Sequence, residues 1–270
     1  MSLKIAIILA AVLAMTGTAT AKEPGWKSLF DGKALKGWTP KIRGHALGDN
    51  FADTFSVKNG LLTVSYAGYG GRFGERFGHL FYARPFKAYR LRVEYRFTDP
   101  SPPDTPAWAI RNNGVMIYSQ DPRTMALDDS FPVSVEAQII GPGSAAARTN
   151  GNVCTPGTNI VMDGKLITQH CTNSAFAATP NGEWVKFEVE VLPSGQVTHI
   201  VNGERVLTYS GIQLDPTGNM ANSKPLIAAA GGKLELTSGY IAIQSEGAPI
   251  EFRKIEIQEL PTSPAKRRGR

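Results

Sequence analysis

From residue 55 to residue 259 the chain alternates apolar and polar residues with a period of two, and Gly, Pro, Asn and Asp interrupt the pattern at short intervals. No stretch keeps apolar residues at helical spacing for three turns. A period of two sends successive side chains to opposite faces of a strand, so each segment can bury one face only. The chain is therefore expected to be all-β. Strands are predicted at 55–57, 61–66, 89–98, 114–119, 133–140, 185–192, 197–201, 204–209, 239–245 and 250–259. Asn59-Gly60 and Asn202-Gly203 read as hairpin turns, because both residue types tolerate the positive φ of a tight turn. Many strands joined this closely point to a sandwich of two antiparallel sheets in one domain. Two connections are long: the Pro-rich 99–107, and 141–181, which carries both cysteines and shows little strand pattern. Loops of that length in a compact domain tend to bind something.

Alternation also sorts polar side chains by face. On 133–140, Ser134, Glu136 and Gln138 share one side, opposite Val133, Val135, Ala137 and Ile139. A carboxylate beside an amide on a central strand suits the floor of a binding site; an ordinary solvated sheet face is the alternative. Arg90, Arg92, Glu94 and Arg96 share a face of 89–98. Tyr240, Ala242, Gln244 and Glu246 share a face of 239–246. Were these strands in one sheet with Glu136, their polar sides would form a surface suited to sugar hydroxyls. Cross-strand ion pairs on a wet sheet are the competing reading. Arg111 and Asn113 would aim donors at the mouth of their strand. His79, between aromatic residues, reads as a hydrogen-bonded core histidine, His170 as a rim residue beside Cys171, and His199 as an exposed strand residue.

The first 21 residues read as an export signal: Lys4, an apolar run from Ile5 to Met15, then small residues to Ala21. The mature domain is expected to span 22–260, without a transmembrane segment, in the periplasm or secreted. The formal charge of +6 comes largely from the ends. Lys4 lies in the signal, and Lys266, Arg267, Arg268 and Arg270 lie in a basic tail, 261–270, read as disordered. The folded body is nearly neutral, which argues against a nucleic-acid partner. In an oxidising compartment the two cysteines, Cys154 and Cys171, are expected to form a disulfide, since a metal site would need more ligands than the adjacent His170. No Gly-x-Ser-x-Gly, phosphate-loop or His-Glu-x-x-His motif occurs. The Glu-x-Asp-x-x-Glu pattern that sets two glycosidase carboxylates on one strand is also absent.

Several segments together resemble the 3-keto-disaccharide hydrolase family. They are Trp26-Lys27-Ser28-Leu29-Phe30-Asp31-Gly32 with Gly37-Trp38, Arg92-Val93-Glu94-Tyr95-Arg96, Asn113-Gly114-Val115, Glu136-Ala137-Gln138, Asn181-Gly182-Glu183-Trp184, and Gly239 to Gly247 leading into Phe252-Arg253-Lys254-Ile255. Arg76 to Tyr82 and Cys154 to Thr158 are similar to a subgroup of it. The commoner Glu-x-Gln-x-x-Asp ending is here Glu136 to Gly141, without the acid. The resemblance implies a concanavalin-like jelly roll of the lectin and glucanase type, acting on glycosides oxidised at C3 of glucose, by β-elimination, net hydrolysis or both. A C3 ketone acidifies the C2 proton, so a base can remove it while the C1 substituent leaves. Such a site needs a base, an acid for the leaving oxygen, and donors facing the enolate. The candidates are Glu136 or His79 as base, Glu94 or Glu246 as acid, and Arg96, Asn113, Gln138 and Gln244 as positioning donors, with Arg111 and His170 also at the substrate. No ligand set demands a metal or other cofactor, although a divalent cation at the enolate is compatible with the chemistry. The alternative function is a non-catalytic carbohydrate-binding module.

Overall fold

The computed structural model describes residues 25–98, 100–143 and 147–262. The expected signal peptide and the tail from Ser263 onward lie outside those residues. Two antiparallel sheets, one of ten strands and one of seven, pack face to face, as alternation requires. Leu91, Val93, Tyr95 and Phe97 from the larger sheet meet Val115, Ile117, Val135, Ala137, Ile139, Ile241 and Ile243 from the smaller one in a single apolar layer. The seven-stranded sheet runs Cys171–Thr172, Asn152–Cys154, Val135–Ile140, Asn112–Ser119, Tyr240–Ser245, Gly78–Tyr82, Trp38–Ile42. In the other sheet Tyr89–Phe97 lies at the centre, between Val185–Val191 and Ile250–Glu259. Both expected hairpin turns are present, with φ of 51° and 79° at Asn59-Gly60 and of 50° and 91° at Asn202-Gly203.

Three features differ from the sequence expectation. Trp38–Ile42 and Gly78–Tyr82 are strands; Pro40 obscures the first, and a proline is tolerated there because the strand is the sheet edge. The 141–181 connection contains four short strands, each of two to five residues and too short to show a period. Asn152–Cys154 and Cys171–Thr172 extend the smaller sheet, while Thr158–Met162 and Lys165–Ile167 extend the larger one. His199 is buried, not exposed. It shares its face with the core residues Val197 and Val201, and its ring nitrogens meet the Gly151 carbonyl and the Tyr209 hydroxyl, each at 3.0 Å. Burial lowers its pKa to about 4, so it is neutral.

Cys154 and Cys171 are direct cross-strand partners and are joined by the expected disulfide. Closing a loop of 17 residues stabilises by about 3 kcal/mol through the unfolded chain. The double variant Cys154→Ser, Cys171→Ser should therefore unfold in denaturant with a free energy about 3 kcal/mol lower than the parent, at a denaturant dependence no smaller than the parent's because its unfolded chain is free to expand.

Candidate active site

The outer face of the seven-stranded sheet carries the polar residues that its alternation excludes from the core. Register places Met116, Glu136, Cys154 and Cys171 in one row across four strands. Gly114, Gln138 and Asn152 form the next row. On the far side, Gln244 lies opposite His79, and His79 opposite Lys41. The absence of a side chain at Gly114 shapes the centre. A Cβ there would lie 2.5 Å from both Cγ and Oε1 of Glu136, so the Glu136 side chain leans over this glycine. The strand beyond Gly114 is Tyr240–Ser245, and Glu246 follows directly from its end.

Two carboxyls thereby come together, 5% exposed at Glu136 and 3% at Glu246. Gln244 Nε2 donates to Glu246 Oε1 at 3.3 Å. Glu136 Oε1, Glu246 Oε2 and Gln244 Oε1 have no hydrogen-bond partner among the described residues. Buried acceptors left open in this way cost free energy unless they are protonated or meet a ligand. Burial pushes the Glu136 pKa up to about 8. Glu246 is raised well above the usual carboxylate range, first by burial and then by the Glu136 charge, with Arg148 opposing both. Two such groups hold their protons at neutral pH, and loss of the first leaves a carboxylate base beside a carboxylic acid.

A cleft of about 750 Å³ opens above the pair, and Gln138, Asn152, Arg148 and His170 line it with the two glutamates. Asn152 Nδ2 donates to Gln138 Oε1 at 3.0 Å, and Thr149 Oγ1 donates to Asn152 Oδ1 at 2.8 Å. Arg148 donates to the carbonyls of Ile110 and Trp108. His170 is held below its usual pKa by burial, and its Nδ1 has no partner. Trp108, Ile110, Phe131 and Met220 add apolar lining. Trp108 stacks on Phe77 at 5.7 Å, and Phe77 packs on Phe131 at 5.1 Å. Cys154, His170 and Cys171 bring metal-ligating atoms within 4.8 Å of one another, but both sulfurs are bonded in the disulfide.

Of the residues expected at the site, Glu136, Gln138, Glu246 and His170 line the cleft. Gln244 lies beneath it, bound to Glu246. Asn113 is on the core side, where its Nδ2 donates to the Gln244 carbonyl at 2.7 Å and ties the two strands together. Arg111 is turned to the Pro142 carbonyl. His79 is fully buried, does not line the cleft, and is held neutral by burial at a pKa of about 3. It is buried on the outer face of the smaller sheet, in register with Gln244 and Lys41, rather than in the core as expected; its Nε2 has no hydrogen bond among the described residues, and its place away from the cleft lining removes it as the base. Glu94 and Arg96 belong to the other sheet and project from its outer face. Glu94 bonds Arg253 and Lys254, which outweigh its burial and hold its pKa low. Arg96 bonds Glu251. Both therefore leave the site. Arg148, Asn152 and Trp108 are cleft residues that the sequence expectation missed; the length of their loops was the one signal of them.

The two-sheet arrangement is shared with solved structures of low identity. A protein of Parabacteroides distasonis ATCC 8503, provisionally described as a glycosyl hydrolase, is 18% identical, with 87% of this chain and 99% of that chain covered and a TM-score of 0.50. A Bacillus subtilis protein of unknown function with a galectin-like fold is 12% identical over 87% of this chain and 94% of its own, also with a TM-score of 0.50. The Ca2+-bound exoplasmic/lumenal domain of VIP36 is 10% identical over 90% and 95% of the two chains, with a TM-score of 0.52. No curated protein gives a significant sequence match. Fold and topology define a lectin-type jelly-roll sandwich. The chain belongs to the family of 3-keto-alpha-glucoside-1,2-lyase-like domains, whose profile matches residues 25–258.

Glu136 titrates near 4.5 when exposed and about 8 when folded, so between those values the folded chain holds a proton that the unfolded chain has released. Stability therefore drains as pH rises through that window. Glu136→Gln removes this contribution. Melting curves from pH 5 to pH 9 should show the variant gaining on the parent as pH rises, and parallel curves would remove the raised pKa from the account. Gly114→Ala should fold, at a cost of about 1–3 kcal/mol, with Glu136 displaced from Glu246.

Proposed function

We propose that the protein is an exported enzyme that cleaves 3-keto-glycosides, with Glu136 as base and Glu246 as acid. The observation that carries this reading is the pair of buried carboxyls, both raised in pKa and both with an unpartnered oxygen, in a chain of the 3-keto-alpha-glucoside-1,2-lyase-like family. Ionised Glu136 takes the C2 proton of the sugar, and the electron pair moves toward the C3 ketone as an enolate. As the enolate collapses, a C1–C2 double bond forms and the C1–oxygen bond breaks. Protonated Glu246 gives its proton to the departing oxygen, which leaves as an alcohol. Addition of water across the new double bond completes a net hydrolysis. Gln138 serves as a donor to the sugar oxygens, and the two carboxyls account for both proton transfers. The disulfide supports the placement outside the cytoplasm, in the periplasm or secreted.

General acid and base groups typically contribute 10²–10⁴-fold in rate. Glu136→Gln and Glu246→Gln should each lower kcat on a 3-keto-glucoside by at least about 100-fold, while the unoxidised glucoside, which lacks an acidic C2 proton, is left intact by the parent. Full turnover by Glu136→Gln would remove Glu136 from the mechanism. A carbohydrate-binding role without catalysis is the second reading, favoured by the amides of Gln138 and Asn152 on the cleft floor. It requires that the parent bind a 3-keto-glucoside in calorimetry and release no product by chromatography.

A further inference from the structure

We infer that the leaving group of this enzyme is an apolar aglycone carrying an aromatic ring, held by Trp108 and Ile110, rather than a second sugar. The inference rests on the function proposed above and extends it to the other half of the substrate. Trp108 is 51% exposed, Ile110 40% and Met220 51%, and all three line the cleft. Large apolar side chains left exposed around one cavity mark a surface that meets an apolar partner. The indole of Trp108 is not free to turn away, because it stacks on Phe77 with ring planes 14° apart. A flat ring entering the cleft therefore meets an indole already held in place.

Arg148 fixes where this wall lies relative to the chemistry. Its guanidinium donates to the backbone carbonyls of Trp108 and Ile110, and the same charge acts on Glu246. The apolar wall is thus tethered beside the acid that protonates the leaving oxygen, on the side where the aglycone departs. Because Arg148 bonds those two carbonyls, it offers fewer donors to a second sugar. Ile110 has no group that bonds a hydroxyl, so a glucosyl aglycone would lose water contacts against it without replacement. Of the polar side chains that line the cleft, Gln138 and Asn152 sit on the sheet floor in the row next to Glu136, where the oxidised sugar is placed.

Matched substrates test this: the 3-keto-glucosides of benzyl alcohol and of glucose, whose leaving oxygens are of similar acidity, each in both anomers. The parent should show kcat/KM at least about tenfold higher for the benzyl compound. Trp108→Ala should shrink that ratio by about tenfold, mainly through KM. Ile110→Gln should also shrink it, and decides the matter if Trp108→Ala does not fold. Turnover of both compounds with equal or better use of the glucosyl one would overturn the inference while leaving the proposed function intact. Should neither be turned over, the proposed function fails, and calorimetry with the parent then decides the aglycone question. Tighter binding of the benzyl compound supports the apolar wall as its site, and equal or absent binding overturns it.

Discussion

The apolar layer between the two sheets takes one face of every strand in the seven-stranded sheet, so the chemistry is confined to the other face. Val135, Ala137 and Ile139 commit their strand to that layer, and the same pleat turns Glu136 and Gln138 outward. Ile241 and Ile243 do the same for Gln244, with Glu246 continuing the outward series. A slip of one residue in either strand would bury the acids and expose the aliphatics, at a cost no local interaction could offset. The acid pair is therefore held by the core behind it, and the Asn113 bond to the Gln244 carbonyl fastens the two strands where the pair meets.

The two outer faces treat carboxylates in opposite ways. On the larger sheet Glu94, Glu251 and Glu256 each face a basic side chain across the strands. Pairing of this kind leaves a carboxylate charged and inert. On the smaller sheet Glu136 and Glu246 have no lysine or arginine in hydrogen-bond contact among the described residues, and each raises the cost of ionising the other. Arg148 tempers this without abolishing it, because its donors are directed at backbone carbonyls. Proton exchange near neutral pH follows from withholding the usual counter-charge rather than from any unusual residue.

Much of this was legible in the alternation. Period two gave the sheet class, the two Asn-Gly turns, and the outward face of Glu136, Gln138, Gln244 and Glu246. What it could not give was sheet membership, since Arg90 to Arg96 alternates as cleanly as Val133 to Ile140. Only long-range pairing separates Glu94 from the site. His199 was misread although its strand pattern places it with Val197 and Val201, because histidine was taken as polar; a neutral imidazole with two partners fits a core. The short strands around the disulfide are too brief for any period to show, and Arg148 reaches the cleft from a segment with no pattern.

The disulfide has a mechanical meaning for the cleft. Between Cys154 and Cys171 the chain leaves the smaller sheet, adds Thr158–Met162 and Lys165–Ile167 to the larger one, and returns. The loop is thus stitched to both layers at one margin of the sandwich and closed on itself in the row that holds Glu136. Shear between the layers is blocked at that margin, which behaves as the fixed jaw of a clamp. On the connection that carries Trp108 and Ile110 the restraint is of another kind, made by side chains alone: the stack of Trp108 on Phe77 and the Arg148 bonds to the two carbonyls.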